Sequence, residues 1–185
     1  MSGLERKLRD NCVDWYNAWE QWISVTAKGC EHIKQVANVR IQLNSKQSDV
    51  EFDRFEAIDK LDKLCAKFFG IVDNLKLIAT RFQKLQSSFQ SLLDLASAQP
   101  SSVPSLLLKQ CQKLATDSSE FVTAILKDTE SKKLAFCELS VAEDRDLVMT
   151  LVAVWVHLPY LNEHRMSDWT NGIAQELGLL KSVTK

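Results

Sequence analysis

The side chains best suited to chemistry gather at Trp155-x-His157-x-Pro159-Tyr160. An imidazole there can serve as a base, a metal ligand or a helix-end group. Metal ligation needs about two or three further ligands at helical or loop spacing, and His32 and His164 bring no matching Cys or carboxylate arrangement. His157 is therefore read as a last-turn residue, placed to satisfy free carbonyls and to meet the helix dipole. Cys12, Cys30, Cys65, Cys111 and Cys137 are odd in number, widely spread and form no C-x-x-C pair. They read as reduced thiols used as small core residues in a cytosolic or nuclear protein. No G-x-S-x-G run, H-E-x-x-H run or glycine-rich loop with a following Lys is present, so the usual nucleophile, zinc and phosphate-cradle arrangements are missing. The carboxylates fall on charged helical faces. No catalytic residue, cofactor or metal is expected.

A second set is suited to binding. Asn11 sits on an apolar stripe between Leu8 and Trp15, where a buried Asn fixes helix register at some cost in stability or hydrogen-bonds a partner. Trp15, Trp19 and Trp22 fall within two turns, with Trp19 beside the stripe rather than on it. All three cannot easily face one thin core. Either the bundle is wide enough to pack them, or they are interface anchors, as exposed aromatic residues on helices commonly are.

These residues must be positioned by helices. Between 52 and 96, Leu61, Cys65, Phe68, Val72, Leu75, Ala79, Phe82, Gln86, Phe89, Leu93 and Ala96 alternate spacings of four and three, as seam positions of coiled coils do. A second file, Leu64, Ile71, Ile78, Leu85 and Leu92, recurs every seventh residue beside it. Three apolar positions per heptad make a face too wide for a two-stranded coil and suited to a helix with at least two neighbours. A comparable stripe over 4–43 runs through Leu4, Leu8, Trp15, Ala18, Trp22, Val25, Gly29, Ile33, Val36 and Leu43. The segment 44–49 reads as a tight connection with Ser48 or Asp49 as the next cap. Folding back there sets Gly29 opposite Phe68. The Ser/Pro-rich segment 97–104 is a second connection.

A third helix is expected over 105–141, its face interrupted by Ser118, Asp128 and Lys132. Residues 142–145 form a turn, and a very apolar fourth helix runs over 146–157, ended by Pro159. A last helix covers about 162–180, with Met166, Trp169, Ile173, Leu177 and Leu180 as its apolar stripe. The expected fold is all-α, an elongated bundle of long antiparallel coiled-coil-like helices with a short C-terminal helical hairpin. Its parts are a long hairpin over 1–96, a linker at 97–104, and the third long helix with the C-terminal pair over 105–185, as one continuous elongated domain.

Composition agrees with helices and narrows the function. Five Gly and three Pro in 185 residues leave few turn-makers for a many-stranded sheet. The 23 Lys+Arg against 24 Asp+Glu give a net charge of −1, without the positive surplus that direct nucleic-acid binding draws on. The N-terminus lacks the apolar region of a secretory signal. The longest nearly apolar run, 147–158, contains Thr150 and His157 and falls short of the roughly 20 residues of a membrane span. A helix of about 45 residues is roughly 70 Å long, whereas a compact chain of this size has a radius of gyration of about 16 Å. Such rods have poor core-to-surface economy alone, which favours partners along their flanks.

At Asp10-Asn11-x-x-Asp14-Trp15-x-Asn17, followed by Trp22 and by Ala37-Asn38-Val39-Arg40-Ile41, the sequence resembles the family of the cyclin-dependent kinase 2-interacting protein. Trp155-x-His157-x-Pro159-Tyr160, preceded by Asp146-Leu147, is similar to the same family's C-terminal signature. The motifs cover about forty residues at the start and twenty-five after Asp146, and the middle agrees in helical character. The resemblance implies a non-enzymatic adaptor of the nucleus, with the cytoplasm as a second location. Its implied partners are a helical protein subunit, an AAA-ATPase assembly acting at chromatin and ribosomes, cyclin-dependent and replication-origin kinases, and a checkpoint kinase complex that responds to DNA damage. It nominates Asp10, Asn11, Asp14, Trp15, Asn17, Trp19, Trp22, Asn38, Trp155, His157, Pro159 and Tyr160 as partner-binding residues. No Ser-Pro or Thr-Pro dipeptide occurs, so a proline-directed phosphorylation site does not carry over. Arg6-Lys7-Leu8 matches a cyclin-docking R-x-L only superficially, because Leu8 lies on the bundle stripe.

An alternative of a different class is a homo-oligomeric coiled-coil tether. The apolar second file of helix two argues against it, since parallel homodimers usually carry charge there. An enzyme is the third class, and it requires a metal or cofactor for which the sequence offers no ligands.

Overall fold

A computed structural model describes residues 3–45, 54–99, 103–157 and 160–176. Five helices account for nearly all of them, and no strand occurs among the described residues: α1 (Gly3–Asn44), α2 (Arg54–Ala98), α3 (Ser105–Val141), α4 (Arg145–Val156) and α5 (Glu163–Glu176). The all-α expectation holds, and α3 has the expected limits. Ser48, Asp49 and Pro159 lie outside the described residues, as does the end of the last helix beyond 176.

Two compact units form, and each long helix contributes to both. The first comprises Met1–Trp22, Ile78–Leu126 and Tyr160–Lys185; the second comprises Ile23–Leu77 and Lys127–Pro159.

Helix faces follow the apolar spacing. On α2, Leu61, Phe68, Val72, Leu75, Ala79, Phe82, Phe89 and Ala96 of the seam are buried together with Leu64, Ile78, Leu85 and Leu92 of the neighbouring file, while Cys65, Ile71, Gln86 and Leu93 sit half-buried at the edges. This is the wide face of a helix touching more than one neighbour. In the first unit, positions 11, 14 and 21 of α1 bond positions 88 and 81 of α2.

Short α4 is fixed by its ends. Asp144, at φ −90° and ψ 132°, accepts hydrogen bonds from the backbone N–H groups of Asp146 and Leu147 at 3.3 and 3.2 Å, an N-cap that satisfies two otherwise orphaned donors. At the other end the His157 N–H donates to the Ala153 carbonyl at 3.0 Å. The turn before α4 is tied to α1, because the Ala142 carbonyl accepts from Arg40 Nε and Asn44 Nδ2, both at 3.0 Å. Asn162 opens α5 by accepting from the Arg165 N–H at 3.0 Å.

Candidate docking site

The tryptophans come first, because surface anchors require exposed rings. Trp15, Trp19 and Trp22 on α1 and Trp155 on α4 are all at most 2% exposed. The bundle is wide enough to take them, so packing is what their spacing encodes, and none of the four is available as a surface anchor. Trp15 is enclosed by Phe82, Phe89 and Trp169, with ring centroids 4.7, 5.9 and 5.1 Å away. Trp169, which the sequence gave no role beyond the α5 stripe, is half-buried. Its indole N–H donates to Asp117 Oδ2 at 2.8 Å, and its ring meets Phe121 at 5.1 Å. Arg165 covers Phe121 at 5.4 Å and pairs with Glu120 through both guanidinium nitrogens, Nη2 lying 2.8 Å from Oε2. Hydrogen bonding from Arg165 holds the Glu120 carboxyl below its ordinary range.

The second aromatic cluster has a different base. Trp155 packs on Phe68 at 4.6 Å, and Phe136 lies 4.4 Å from Phe68 on another side. Gly29 makes room for it: a Cβ there would stand 2.3 Å from Trp155 Cζ2. The sequence set Gly29 opposite Phe68, but its immediate neighbour is the indole that Phe68 backs. The three residues that interrupt the α3 stripe, Ser118, Asp128 and Lys132, are fully buried rather than turned to solvent. Ser118 satisfies itself by donating to the Ala115 carbonyl at 3.1 Å. The Lys132 ammonium donates to Asp128 Oδ2 and lies 5.6 Å from the centroid of the Trp155 ring. Asp128 Oδ1 is buried with no hydrogen-bond partner. Burial pushes the Asp128 carboxyl up against the opposing pull of Lys132, and it also raises the Cys30 thiol.

The polar members of the N-terminal motif divide. The Asn11 amide donates to Ser88 Oγ at 2.6 Å, an internal bond between α1 and α2 consistent with a register role. Asp14 is exposed and accepts from Arg81 Nη2 at 3.0 Å. Asp10, Asn17 and Asn38 are exposed, as are the His157 ring and Tyr160. Pro159 lies outside the described residues. Leu8 is buried, as its place on the stripe requires, so Arg6-Lys7-Leu8 is unsuited to cyclin docking.

What remains open to a partner is elsewhere. Most of the large exposed apolar side chains belong to the second unit: Phe55, Ile58, Phe69 and Leu77 on α2, Leu134 and Val141 on α3, and Leu147, Met149 and Val156 on α4. Phe55 is 87% exposed. Helix α4 carries no charge from 147 to 156, so its outward side is apolar as well as its inward one.

The first unit instead has a groove of about 440 Å³ bounded by α1, α3 and α5. Leu8, Cys12, Leu107, Leu114, Trp169 and Ile173 supply its apolar lining, and Glu5, Arg9, Gln110, Lys113 and Asp168 its polar lining. Gly172 completes the α5 wall, and a Cβ built on it meets nothing within 4 Å. A glycine inside a helix costs about 1 kcal/mol relative to alanine, and among the described residues nothing stands where a Cβ would lie at Gly172 or at Gly70 of α2. The sequence pattern had marked the α5 stripe but gave no sign of the groove, which is made by three helix flanks distant in sequence.

Among the described residues no group of three or more His, Cys, Asp or Glu is placed to hold a metal ion, and no helix is long and apolar enough to cross a membrane.

No protein-family model matches the chain. Among curated proteins it is similar to the cyclin-dependent kinase 2-interacting protein of Mus musculus, 27% identical over 180 residues that span 89% of this chain and 85% of that protein. The human protein of that name is 25% identical over 178 residues, 87% of this chain and 84% of its own length. The Xenopus laevis one is 23% identical over 179 residues, 89% of this chain and 84% of its own. The likeness first read at two terminal motifs thus runs through the middle helices as well, and the chain is similar to the cyclin-dependent kinase 2-interacting proteins along nearly nine-tenths of its length.

Proposed function

We propose that this protein is a non-catalytic adaptor associated with a cell-cycle kinase. The observation that carries the reading is the similarity over 89% of the chain to proteins named for their interaction with cyclin-dependent kinase 2. Physical support comes from what the two units leave outside. Their aromatic cores are closed by the chain's own residues, yet Phe55, Phe69, Leu77, Leu134 and Met149 stay exposed, and burying such side chains in an interface is worth about 25 cal/mol per Å² of apolar area. Within the first unit we infer an antiparallel pairing of α1 and α2, since positions 11 and 21 of one bond positions 88 and 81 of the other in opposite order.

The wider context follows the motif resemblance. On that reading the adaptor joins a helical subunit and an AAA-ATPase assembly, with replication-origin and checkpoint kinases as further partners, in DNA replication, the response to DNA damage and ribosome maturation. It works in the nucleus, with the cytoplasm as a second location, and it contacts neither nucleic acid nor membrane directly. Purification of the tagged chain at its native level, followed by quantitative mass spectrometry, tests this. Recovery of a cyclin-dependent kinase together with an AAA-ATPase is expected. Recovery of neither, or of the chain alone as a stable homo-oligomer, overturns the proposal.

A further inference from the structure

We propose that α4 is a strap that lifts off the second unit as one piece, latched by Trp155, and that the Asp128–Lys132 pair beneath the latch sets how firmly it closes.

Little of α4 is held down. Of its twelve residues only Val148 and Trp155 are buried, while Leu147, Met149 and Val156 are exposed. In the same unit α2 alone buries Ala57, Leu61, Leu64, Phe68, Val72 and Leu75. The Thr150 hydroxyl donates to the Asp146 carbonyl at 2.8 Å and so stays within α4. The first end of the strap is the fixed one, because the Ala142 carbonyl just before it accepts from Arg40 and Asn44 of α1. Near the other end Trp155 enters a seat made by Gly29 of α1, Phe68 of α2 and Lys132 of α3. Elements with few buried apolar contacts open locally, ahead of the global transition. A helix of this length is marginal alone in water, so its amides lose protection together once the ring leaves.

The seat opposes closure as well as fitting the ring. Asp128 Oδ1 and Trp155 Nε1 are both buried without a hydrogen-bond partner, and both regain water when α4 lifts. The same motion rehydrates the Lys132–Asp128 pair, whose side chains are wholly buried in the closed state. Few other groups face the seat. From α1 come Cys30, whose thiol is raised by burial beside Lys132 and Trp155, and next to it the exposed Glu31–Lys34 pair. From α2 comes the Phe68 ring, and α4 brings no charge from 147 to 156. Burial holds the Asp128 carboxyl above its ordinary range against the pull of Lys132. Closure is therefore favoured at lower pH and weakens as pH rises through that elevated value.

Hydrogen exchange of the full chain, resolved to single amides by NMR and corrected for intrinsic rates, tests the strap. The amides of 149–156 are expected to be at least 30-fold less protected than those of 68–75 on α2. They should respond little to low urea, while those of α2 respond steeply. Leu75→Ala, in the core of the same unit, is expected to lower α2 protection at least 10-fold and α4 protection less than 2-fold. Raising the pH from about 5 to about 8 is expected to lower α4 protection at least 3-fold, and Asp128→Asn to abolish that dependence. Equal protection and equal urea response in α4 and α2 overturn the strap, as does a Leu75→Ala chain in which both fall together. Protection of α4 that is flat with pH, or equally pH-dependent in Asp128→Asn, overturns the role of the pair. Should either variant fail to fold, the urea and pH responses of the unaltered chain still decide.

Discussion

Gly29 and the Asp128–Lys132 pair show how single residues set the limits of the second unit's core. A methyl group at position 29 would stand 2.3 Å from an indole that is itself held between neighbours, so Gly29→Ala forces Trp155 to shift. Overpacking of this kind costs about 1–3 kcal/mol, enough to outweigh the gain of about 1 kcal/mol in helix propensity, and urea unfolding should register a net loss. The buried ion pair follows a different rule. Removing one partner takes a buried counter-charge from the other, at a cost of about 3–5 kcal/mol, whereas replacing both by apolar residues of similar volume is often neutral or stabilising. Asp128→Ala should therefore be strongly destabilising in the same assay, and Asp128→Leu combined with Lys132→Met should recover most of the loss. Because burial raises the Asp128 carboxyl, that group adds stability below the ordinary carboxylate range. The contribution is lost as pH rises through its elevated value. Glu120 has the opposite sign. Arg165 lowers its carboxyl, so its contribution is present above the ordinary range and lost as pH falls through the depressed value. Arg165→Gln should return the Glu120 titration, followed by NMR, to the usual glutamate range.

At the scale of elements, the helices themselves were the most legible part. The four-and-three spacing of α2 is a local signal that the chain obeys, and so is the turn expected at 142–145, of which only Arg145 belongs to a helix. Trp19 was harder to place. A position beside a stripe is buried or exposed according to how many neighbours its helix has, and only the assembled unit supplies that number. Lys132 was harder still: as an interruption of an apolar stripe it looks like a solvent-facing residue, and its burial depends on an aspartate one turn before it and an indole from another helix. The groove could not be read at all, since its walls come from residues near 8, 113 and 172. Helix α4 offers a check on local control. Only Asp144 caps its first turn with a side chain, so Asp144→Ala should cost about 1 kcal/mol and speed amide exchange at Asp146 and Leu147 before it affects α2.

For the molecule as a whole, the location of exposed apolar surface matters more than its existence. From the sequence the tryptophans could be either core residues of a wide bundle or interface anchors. The structure shields four of the five inside the two units and leaves phenylalanine, leucine and methionine side chains outside, most of them on the second unit. Substituting Trp22 or Trp155 would therefore report on folding, not on partner contact. Association is better probed at exposed positions: Leu77→Ser with Met149→Ser should leave the unfolding midpoint within a few degrees of wild type while reducing recovery of the native partners several-fold. The relatives' names point to one partner that can be tested with purified components. Sedimentation velocity of this chain mixed with a cyclin-dependent kinase 2–cyclin complex addresses the adaptor reading most directly. A faster co-sedimenting species at micromolar concentration is expected, and two independent boundaries at every concentration would contradict it.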